Sequence, residues 1–288
     1  MRRFIISGAA LAALVGGGVA FAASSDFNSY KATETFSPSA AGSPAHPSPF
    51  AVSEAWTAHG NNGHNTAPLT RIVAKIYGEK TDAKDFPKCT AKMINSAGNS
   101  RGWNKVCPKG SLIGKGPVKS VFVPASNASA SNPPQCNPYL TIYNGGPGTY
   151  KGKPVNVQVF FFEEYPYAPG PQYSCLNGAV KTGAAAAYNG YSTNASSANH
   201  NTWSIDIPLP PNVSTSAGGI HGVYASLVKL NVTYGKLTKR VHGHVKAYGA
   251  SIGCKNGKRP YSFTFYAKNY QGESPPTQKT TISHVANC

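Results

Sequence analysis

Two segments of the chain match the Gly-x-Ser-x-Gly pattern of the nucleophile elbow, which presents a reactive serine in many hydrolases. They are Gly98–Gly102 and Gly249–Gly253. The elbow requires a strand before the serine and a helix after it, with an acid and a histidine later in the chain. After the second match only Glu273 and His284 follow, and no helix is predicted there. The sequence therefore predicts no serine hydrolase, and we assign no catalytic residue.

The segment His242-Gly243-His244 has the spacing of a metal-chelating pair on a strand, but a metal site needs at least a third ligand. Its neighbours Arg240 and Lys246 are cations, which repel a metal ion. The sequence therefore predicts no metal site and no cofactor. Strand alternation instead places the two histidines on one wet face with Arg240 and Lys246, and it turns Val241, Val245 and Ala247 inward.

This basic segment is the predicted polyanion-binding surface. Its members are Lys236, Lys239, Arg240, His242, His244 and Lys246. The whole chain has 27 Lys and Arg against 10 Asp and Glu, a formal net charge of +17. Such an excess favours contact with anionic cell-envelope polymers, such as teichoic acids or acidic polysaccharides, and we expect no specific nucleic-acid partner. An alternative interpretation is that the excess charge only keeps an exported protein soluble.

Glu163-Glu164 is the only adjacent acidic pair in the sequence. Glycoside hydrolysis needs two carboxyl groups that face each other roughly 5–9.5 Å apart across a cleft. Neighbours in a strand point to opposite faces, so this pair alone does not meet the requirement. Either glutamate could still meet Asp206 in space, which leaves a polysaccharide-acting enzyme with dispersed carboxylates as an alternative.

A stiff, Pro-rich segment from Tyr165 to Tyr173 carries three tyrosines, Tyr165, Tyr167 and Tyr173. Rigid exposed aromatic rings are typical of surfaces that bind sugars or proteins, because their burial costs little side-chain entropy. The segment is therefore a candidate ligand or partner loop. The alternative is that these rings cover the edge of a sheet.

Six cysteines are present, Cys89, Cys107, Cys136, Cys175, Cys254 and Cys288. An even number without a C-x-x-C pair predicts three disulfides in an oxidising compartment rather than a zinc site. Sequence proximity favours Cys89 with Cys107 and Cys254 with Cys288, which leaves Cys136 with Cys175. Only the first pairing is firm at this stage.

Several short segments alternate between apolar and polar residues with the period of a half-buried strand. They are 155–161, 203–207, 228–234 and 262–267. Turns are predicted between such runs, at 143–148 and 255–258, from their Asn, Gly and Pro content. Many short strands with one wet face predict an all-β fold, an antiparallel β-sandwich with long Gly/Pro/Asn-rich loops and three disulfides.

The first residues have the pattern of a signal peptide. Met1-Arg2-Arg3 is followed by an uncharged, mainly apolar run to Ser25, and Ala20-Phe21-Ala22 is a small-x-small cleavage site. We therefore expect residues 1–22 to be removed and residues 23–288 to form one secreted domain with no membrane span. A retained membrane anchor is the alternative. Within the domain, residues 23–67 are Pro-, Ser- and Ala-rich and are interpreted as edge strands or a partly disordered stretch.

Two cysteine elements carry a family resemblance. Phe86-Pro87-Lys88-Cys89 and the segment from Cys107 to Gly116 give an F-P-x-C and then a C-P-x-x-S-x-I-G-x-G pattern. This order resembles secreted actinobacterial proteins of uncharacterised function, which also end on a late cysteine pair, as Cys254 and Cys288 do here. The resemblance implies a β-sandwich and an exported location, and it brings no catalytic residue.

Taken together, the sequence predicts a secreted, non-catalytic protein that contacts cell-envelope or extracellular polyanions. The alternatives are the polysaccharide-acting enzyme and a protein-interaction module that uses the tyrosine loop. Each predicts a different feature: a basic surface, a cleft with two opposed carboxylates, or an exposed apolar patch around Tyr165–Tyr173.

Overall fold

A computed structural model describes the chain over residues 27–39, 42–97, 106–163, 169–172, 187–194, 196, 201–215, 222–270 and 277–288. The predicted signal peptide, residues 1–22, lies outside these ranges. Within them, no helix is long and apolar enough to cross a membrane.

Antiparallel strands make up most of the described chain. They are β1 (Asn28–Ser37), β2 (Ser48–Pro49), β3 (Ala51–Gly60), β4 (Leu69–Tyr77), β5 (Glu79–Thr81), β6 (Leu112–Pro124), β7 (Gln135–Cys136), β8 (Tyr139–Tyr150), β9 (Lys153–Glu163), β10 (Tyr188–Thr193), β11 (Thr202–Pro208), β12 (Val223–Tyr234), β13 (Thr238–Val241), β14 (His244–Ala247), β15 (Gly249–Ser251), β16 (Lys258–Lys268) and β17 (Thr277–Asn287). A single six-residue helix, α1 (Ala91–Ser96), and two short 3-10 turns, Ala125–Asn127 and Pro211–Val213, complete the described elements. The four alternating segments of the sequence lie in β9, β11, β12 and β16, as predicted.

The large sheet has the order β1-β3-β12-β6-β8-β9-β10-β11-β4-β16-β17, with β7 paired to β6, and every pairing is antiparallel. The two end strands are also neighbours, because the Asn28 amide donates to Gln278 Oε1 at 2.8 Å and Gln278 Nε2 donates to the Asn28 carbonyl at 2.8 Å. Further along the same seam, the Glu34 amide donates to the Tyr261 hydroxyl at 3.2 Å. The all-β, antiparallel prediction is confirmed as a nearly closed sheet. The division into the two layers of a sandwich stays a prediction.

One continuous apolar core fills the inside of this sheet, and it includes the fully buried Trp56, Phe263 and Phe265. The small sheet β2-β15-β5 lies at the end where β3 and β16 begin and β4 ends. In the chain, β2 precedes β3, β5 follows β4 and β15 precedes β16. This end is therefore covered by short segments that adjoin three strands of the large sheet.

The outer face of β8 and β9 is covered by the loop that carries the two cysteine elements. Cys89, Ile94 of α1, Tyr143 and Val159 form a second buried cluster there. The side chain of Asn144 holds the loop by donating to the carbonyls of Ala83, Phe86 and Pro87 at 3.0–3.2 Å. The F-P-x-C element is therefore part of a loop that is fixed by hydrogen bonds against the outer face of the sheet.

Two disulfides are described, Cys89–Cys107 and Cys254–Cys288, as proximity predicted. Three had been expected. Cys136 is also disulfide-bonded, but the third predicted partner, Cys175, lies outside the described residues. In the Pro-rich stretch before Ala67, β1, β2 and β3 are all formed, and β3 lies inside the sheet between β1 and β12 instead of at an edge.

Candidate ligand cavity inside the sheet

A cavity with about 50 Å³ of open volume lies inside the large sheet. This space suffices for roughly three to five water molecules, at about 10–15 Å³ each. Its lining is mainly apolar and includes Trp56, Ile76, Ile142, Phe160, Trp203 and Val232. Period-two alternation on every strand turns these side chains to the same side, so the lining follows from the strand pattern of the sequence.

Three carboxyl groups interrupt the apolar lining at one end, Glu34, Glu54 and Glu79. Glu34 and Glu54 are direct cross-strand partners between β1 and β3, an arrangement that places their Cβ atoms roughly 4.5–5.5 Å apart. Glu79 comes from β5 in the covering sheet. Glu34 and Glu79 are buried at 6% and 7% exposure, and Glu54 keeps part of its surface accessible.

Burial governs the ionisation of these groups because it disfavours the charged form. It raises the pKa of Glu34 well above its ordinary value, with further increases from the charges of Glu54 and Glu79 and a partial opposing effect of Arg259. Burial also raises the pKa of Glu79 to about 8. The pKa of Glu54 rises to about 7 for the same reason, although the Trp56 indole lowers it in part. Near neutral pH the cluster therefore holds protons that exposed carboxyls would have lost.

Arg259 is the one described cation within electrostatic reach of Glu34 and Glu79, and it is fully buried. Its guanidinium carbon lies 4.9 and 5.0 Å from the centroids of the Phe36 and Phe50 rings. Nη2 donates to Ser251 Oγ at 2.6 Å. Nε and Nη1 have no hydrogen-bond partner in the structure, and none of the described ion pairs joins Arg259 to a carboxylate. Burial lowers the pKa of this guanidinium.

Several buried polar atoms of the lining lack hydrogen bonds of standard geometry. They are Glu34 Oε2, Trp56 Nε1, Glu79 Oε2, Gln158 Oε1, Trp203 Nε1 and Tyr248 Oη. Two of these groups nevertheless have a polar neighbour. The Gln158 side chain lies close enough to the Tyr248 hydroxyl to lower the pKa of Tyr248 in part, and the Trp56 indole has the same effect on the Glu54 carboxyl. Burial is the larger influence on Tyr248 and raises its pKa. Polar atoms left unpaired in this way normally meet water or a ligand.

The three cavity glutamates were missed at the sequence level, although a signal existed. Glu54 has the same strand phase as Val52 and Trp56, and Glu34 has the same phase as Ala32 and Phe36. An acidic residue at an inward-facing apolar position marks a buried carboxyl. Within the described residues, no three His, Cys, Asp or Glu side chains are grouped so that they could hold a metal ion.

The predicted basic face is wrong in its arrangement. The segment is not one strand but a hairpin of β13 and β14, because His242 and Gly243 adopt positive φ angles of 49° and 79° and reverse the chain. Lys239 pairs with Lys246, and Arg240 pairs with Val245. Directly opposed residues share a face, so Arg240 and Lys246 lie on opposite faces. Val245, predicted to be buried, is 57% exposed.

All six predicted polyanion-binding residues are nevertheless exposed. Lys236 also lines a surface groove between β6 and β12, together with Lys115 and Leu237. The structure thus places the basic residues on a hairpin and an adjoining groove, outside the cavity.

The predicted carboxylate pair is not brought together. Asp206 is held by Arg71, whose Nε and Nη2 donate to its two oxygens at 2.6 and 2.7 Å. Asp206 is in register with Tyr191 and through it with Val157, six residues before Glu163 on β9. At about 3.3 Å per residue, roughly 20 Å separate the two positions, beyond the distance for glycoside hydrolysis. Glu164 lies outside the described residues.

The other candidate residues from the sequence are either buried or outside the described residues. Ser251 of the second Gly-x-Ser-x-Gly match is fully buried in β15, where its hydroxyl accepts a hydrogen bond from Arg259. The residues from Gly98 to Gly102, and Tyr165, Tyr167 and Tyr173 of the predicted partner loop, lie outside the described residues.

Comparisons with known proteins give no assignment. No family model, no curated protein and no solved structure matches the chain. The functional argument therefore depends on the geometry of the cavity and of the surface.

Proposed function

We propose that this chain is a non-catalytic binding protein that takes a small, mainly apolar molecule into the interior of its large sheet. The observation that carries the proposal is an apolar cavity into which Glu34 and Glu79 present carboxyl oxygens without hydrogen-bond partners. An unpaired buried polar group costs about 1–3 kcal/mol. A molecule that supplies those hydrogen bonds and fills the apolar space offsets this cost.

Closure of the sheet into a container is part of the proposal. The end strands β1 and β17 are already linked by the reciprocal hydrogen bonds of Asn28 and Gln278. Eleven described strands in one antiparallel order leave the two end strands running in the same direction, so they do not complete an antiparallel ladder. Side chains close this seam instead.

Filling the cavity should abolish binding. Ala74 lines the cavity from β4 and is 4% exposed. We expect Ala74→Leu to weaken binding of a small apolar alcohol such as propanol at least tenfold, because the added carbons take up open volume of only about 50 Å³. Titration of the indole N–H signals of Trp56 and Trp203 by NMR measures this directly.

Ala55→Leu is the matched control, since Ala55 lies on β3 between the inward-facing Glu54 and Trp56 and so faces outward. Its binding should equal that of the parent. The proposal fails if propanol leaves both indole signals of the parent unchanged, or if Ala74→Leu binds as well as Ala55→Leu.

A second function, contact with anionic polymers, is favoured by the hairpin. Lys239 and Lys246 are exposed and directly opposed across β13 and β14, and no acidic residue lies between Lys236 and Lys246. Clustered exposed cations attract polyanions, and salt screens this attraction beyond about 8 Å at physiological ionic strength.

Lys239→Ser with Lys246→Ser should therefore elute from a heparin column at lower salt than the parent while melting at the same temperature, since exposed substitutions cost little stability. The control Lys31→Ser with Lys229→Ser removes the same charge from the outer face of β1 and β12, where both residues flank Thr57. Equal elution of the two double variants would reduce the charge excess to a general property of the surface.

Export behind a cleaved signal peptide completes the proposed function. The two described disulfides support it, because such bonds persist in oxidising compartments. The mature chain would then begin at Ala23, and mass spectrometry of protein from culture medium should find that terminus. An intact Met1 in a membrane fraction would contradict it.

A further inference from the structure

We infer that the cavity selects a small organic cation, a short alkylammonium whose charged group lies among Glu34, Glu54 and Glu79 and whose alkyl part contacts the apolar lining. The inference rests on the proposed function and deepens it, since it names the chemical class of the ligand. The argument depends on the charge, pairing and volume of the cavity.

The charge of the polar end favours a cation. Glu54 and Glu79 both act electrostatically on Glu34 there, and the described cation that acts on Glu34 and Glu79, Arg259, contributes a single positive charge. Two directly opposed carboxylates such as Glu34 and Glu54 repel each other when both are ionised. An ammonium group between them replaces that repulsion with two attractions, which a neutral alcohol cannot do.

The unpaired hydrogen-bond acceptors of the site also favour an alkylammonium ligand. An ammonium group has three N–H donors and no acceptor. Glu34 Oε2 and Glu79 Oε2 are buried acceptors without partners. The unpaired donors of Arg259 do not line the cavity, so an anion would meet three carboxyls without reaching the guanidinium directly.

The open volume sets the size of the ligand. Room for roughly three to five water molecules corresponds to about the same number of carbon and nitrogen atoms, because a methylene group and a water molecule have similar volumes. Propylammonium, with four such atoms, is the probe of choice. The apolar residues Trp203, Ile205 and Phe160 would contact its alkyl chain.

Binding of the cation should release protons. The groups that face the three carboxyls are Arg259 and Tyr261 from β16, Tyr234 from β12 and Tyr248, which leads into β15. Tyr234 and Tyr248 stay neutral near pH 7, since burial raises the pKa of both. Ionisation of Glu54 and Glu79, with pKa values of about 7 and 8, therefore controls affinity. Affinity should rise from pH 6 to pH 8.5, where an alkylamine is still protonated, as a lysine side chain is.

The experiment compares propylammonium, propanol and propionate on the parent protein by NMR titration at pH 8. We expect propylammonium to bind at least tenfold tighter than propanol, and propionate to show no saturable binding. Isothermal titration in two buffers of different ionisation enthalpy at pH 7 should show proton release with propylammonium alone.

Glu54→Gln should lower the preference for propylammonium over propanol at least fivefold, since one carboxylate is lost from the site. The matched control is Glu163→Gln, since Glu163 is a buried carboxyl with a pKa raised to about 7, on the outward phase of β9, away from the cavity lining. Its preference should equal that of the parent.

The outcomes separate the two proposals. Equal binding of propylammonium and propanol, without proton release, overturns the cation selectivity and leaves the apolar cavity function standing. If propanol does not bind to the parent, the proposed function itself is overturned. Because the pH series and the proton release are measured on the parent, the test remains decisive even if a glutamate variant fails to fold.

Discussion

The free energy of unfolding of the parent protein should decrease between about pH 5 and pH 8, and the substitution Glu79→Gln should remove much of that decrease. The pKa of Glu79 is about 8 in the fold and 4.5 ordinarily. Between those values the folded chain keeps a proton that the unfolded chain has lost, so stability is fully present below pH 4.5 and decreases as pH rises. A shift of this size corresponds to roughly 3–5 kcal/mol. Urea unfolding at pH 5, 6.5 and 8 measures it.

Glutamine keeps the shape of the side chain and cannot ionise, so the variant should be more stable than the parent at pH 8 and similar at pH 5. Glu163→Gln is the comparison. Because the pKa of Glu163 is about 7, its contribution to the loss of stability is confined to the pH range below that value. A Glu79→Gln profile parallel to that of the parent would show that Glu79 carries no raised pKa.

Replacing Arg259 with Met should destabilise the protein by about 1–3 kcal/mol at pH 8, because Ser251 Oγ loses a charged hydrogen-bond donor and Glu34 and Glu79 lose a nearby cation. The guanidinium is fully buried, acts on Glu34 and Glu79, and bonds Ser251 Oγ. Methionine keeps an unbranched apolar side chain beside the Phe36 and Phe50 rings but supplies no charge. The loss should be smaller at pH 5, because the carboxyls are then protonated.

Arg71→Met is the matched control. Arg71 also binds a carboxylate, Asp206, but its side chain is 37% exposed, and ion pairs of this kind contribute about 0–1 kcal/mol. Denaturant unfolding of both variants at pH 5 and pH 8 compares them. A loss for Arg259→Met that is equal to that for Arg71→Met, or unchanged with pH, would contradict the role of Arg259 as the counter-charge of the cavity.

The strand pattern was the most informative part of the sequence, because period two is a local property of the backbone. The alternating segments of β9, β11, β12 and β16 were predicted from it, as was the turn at 255–258, where Asn256 and Gly257 adopt positive φ. The predicted turn at 143–148 is wrong. Those residues lie in β8, and the hairpin turns at Lys151 and Gly152. Glycine is needed in the strand because a Cβ on Gly145 or Gly148 would lie 2.8 Å from Val157.

The basic hairpin shows why the residue types alone did not predict which face of the hairpin each basic side chain occupies. Six exposed basic residues could be predicted from the sequence, but the face that each occupies depends on where the chain reverses. His242 and Gly243 were interpreted as strand residues because His-Gly-His preserves the alternation. Only the pairing of Lys239 with Lys246 reveals the turn.

By itself, the sequence determined the antiparallel strands, the Cys89–Cys107 pairing and the excess of positive charge, since these depend on residue types and short spacings. The tertiary structure decided which charged groups are buried together. Glu34, Glu54, Glu79 and Arg259 come from four strands separated by up to 225 positions, and only the closing of the sheet brings them to one end of a cavity. It also separated Glu163 from Asp206, because strand order and register place the two residues roughly 20 Å apart.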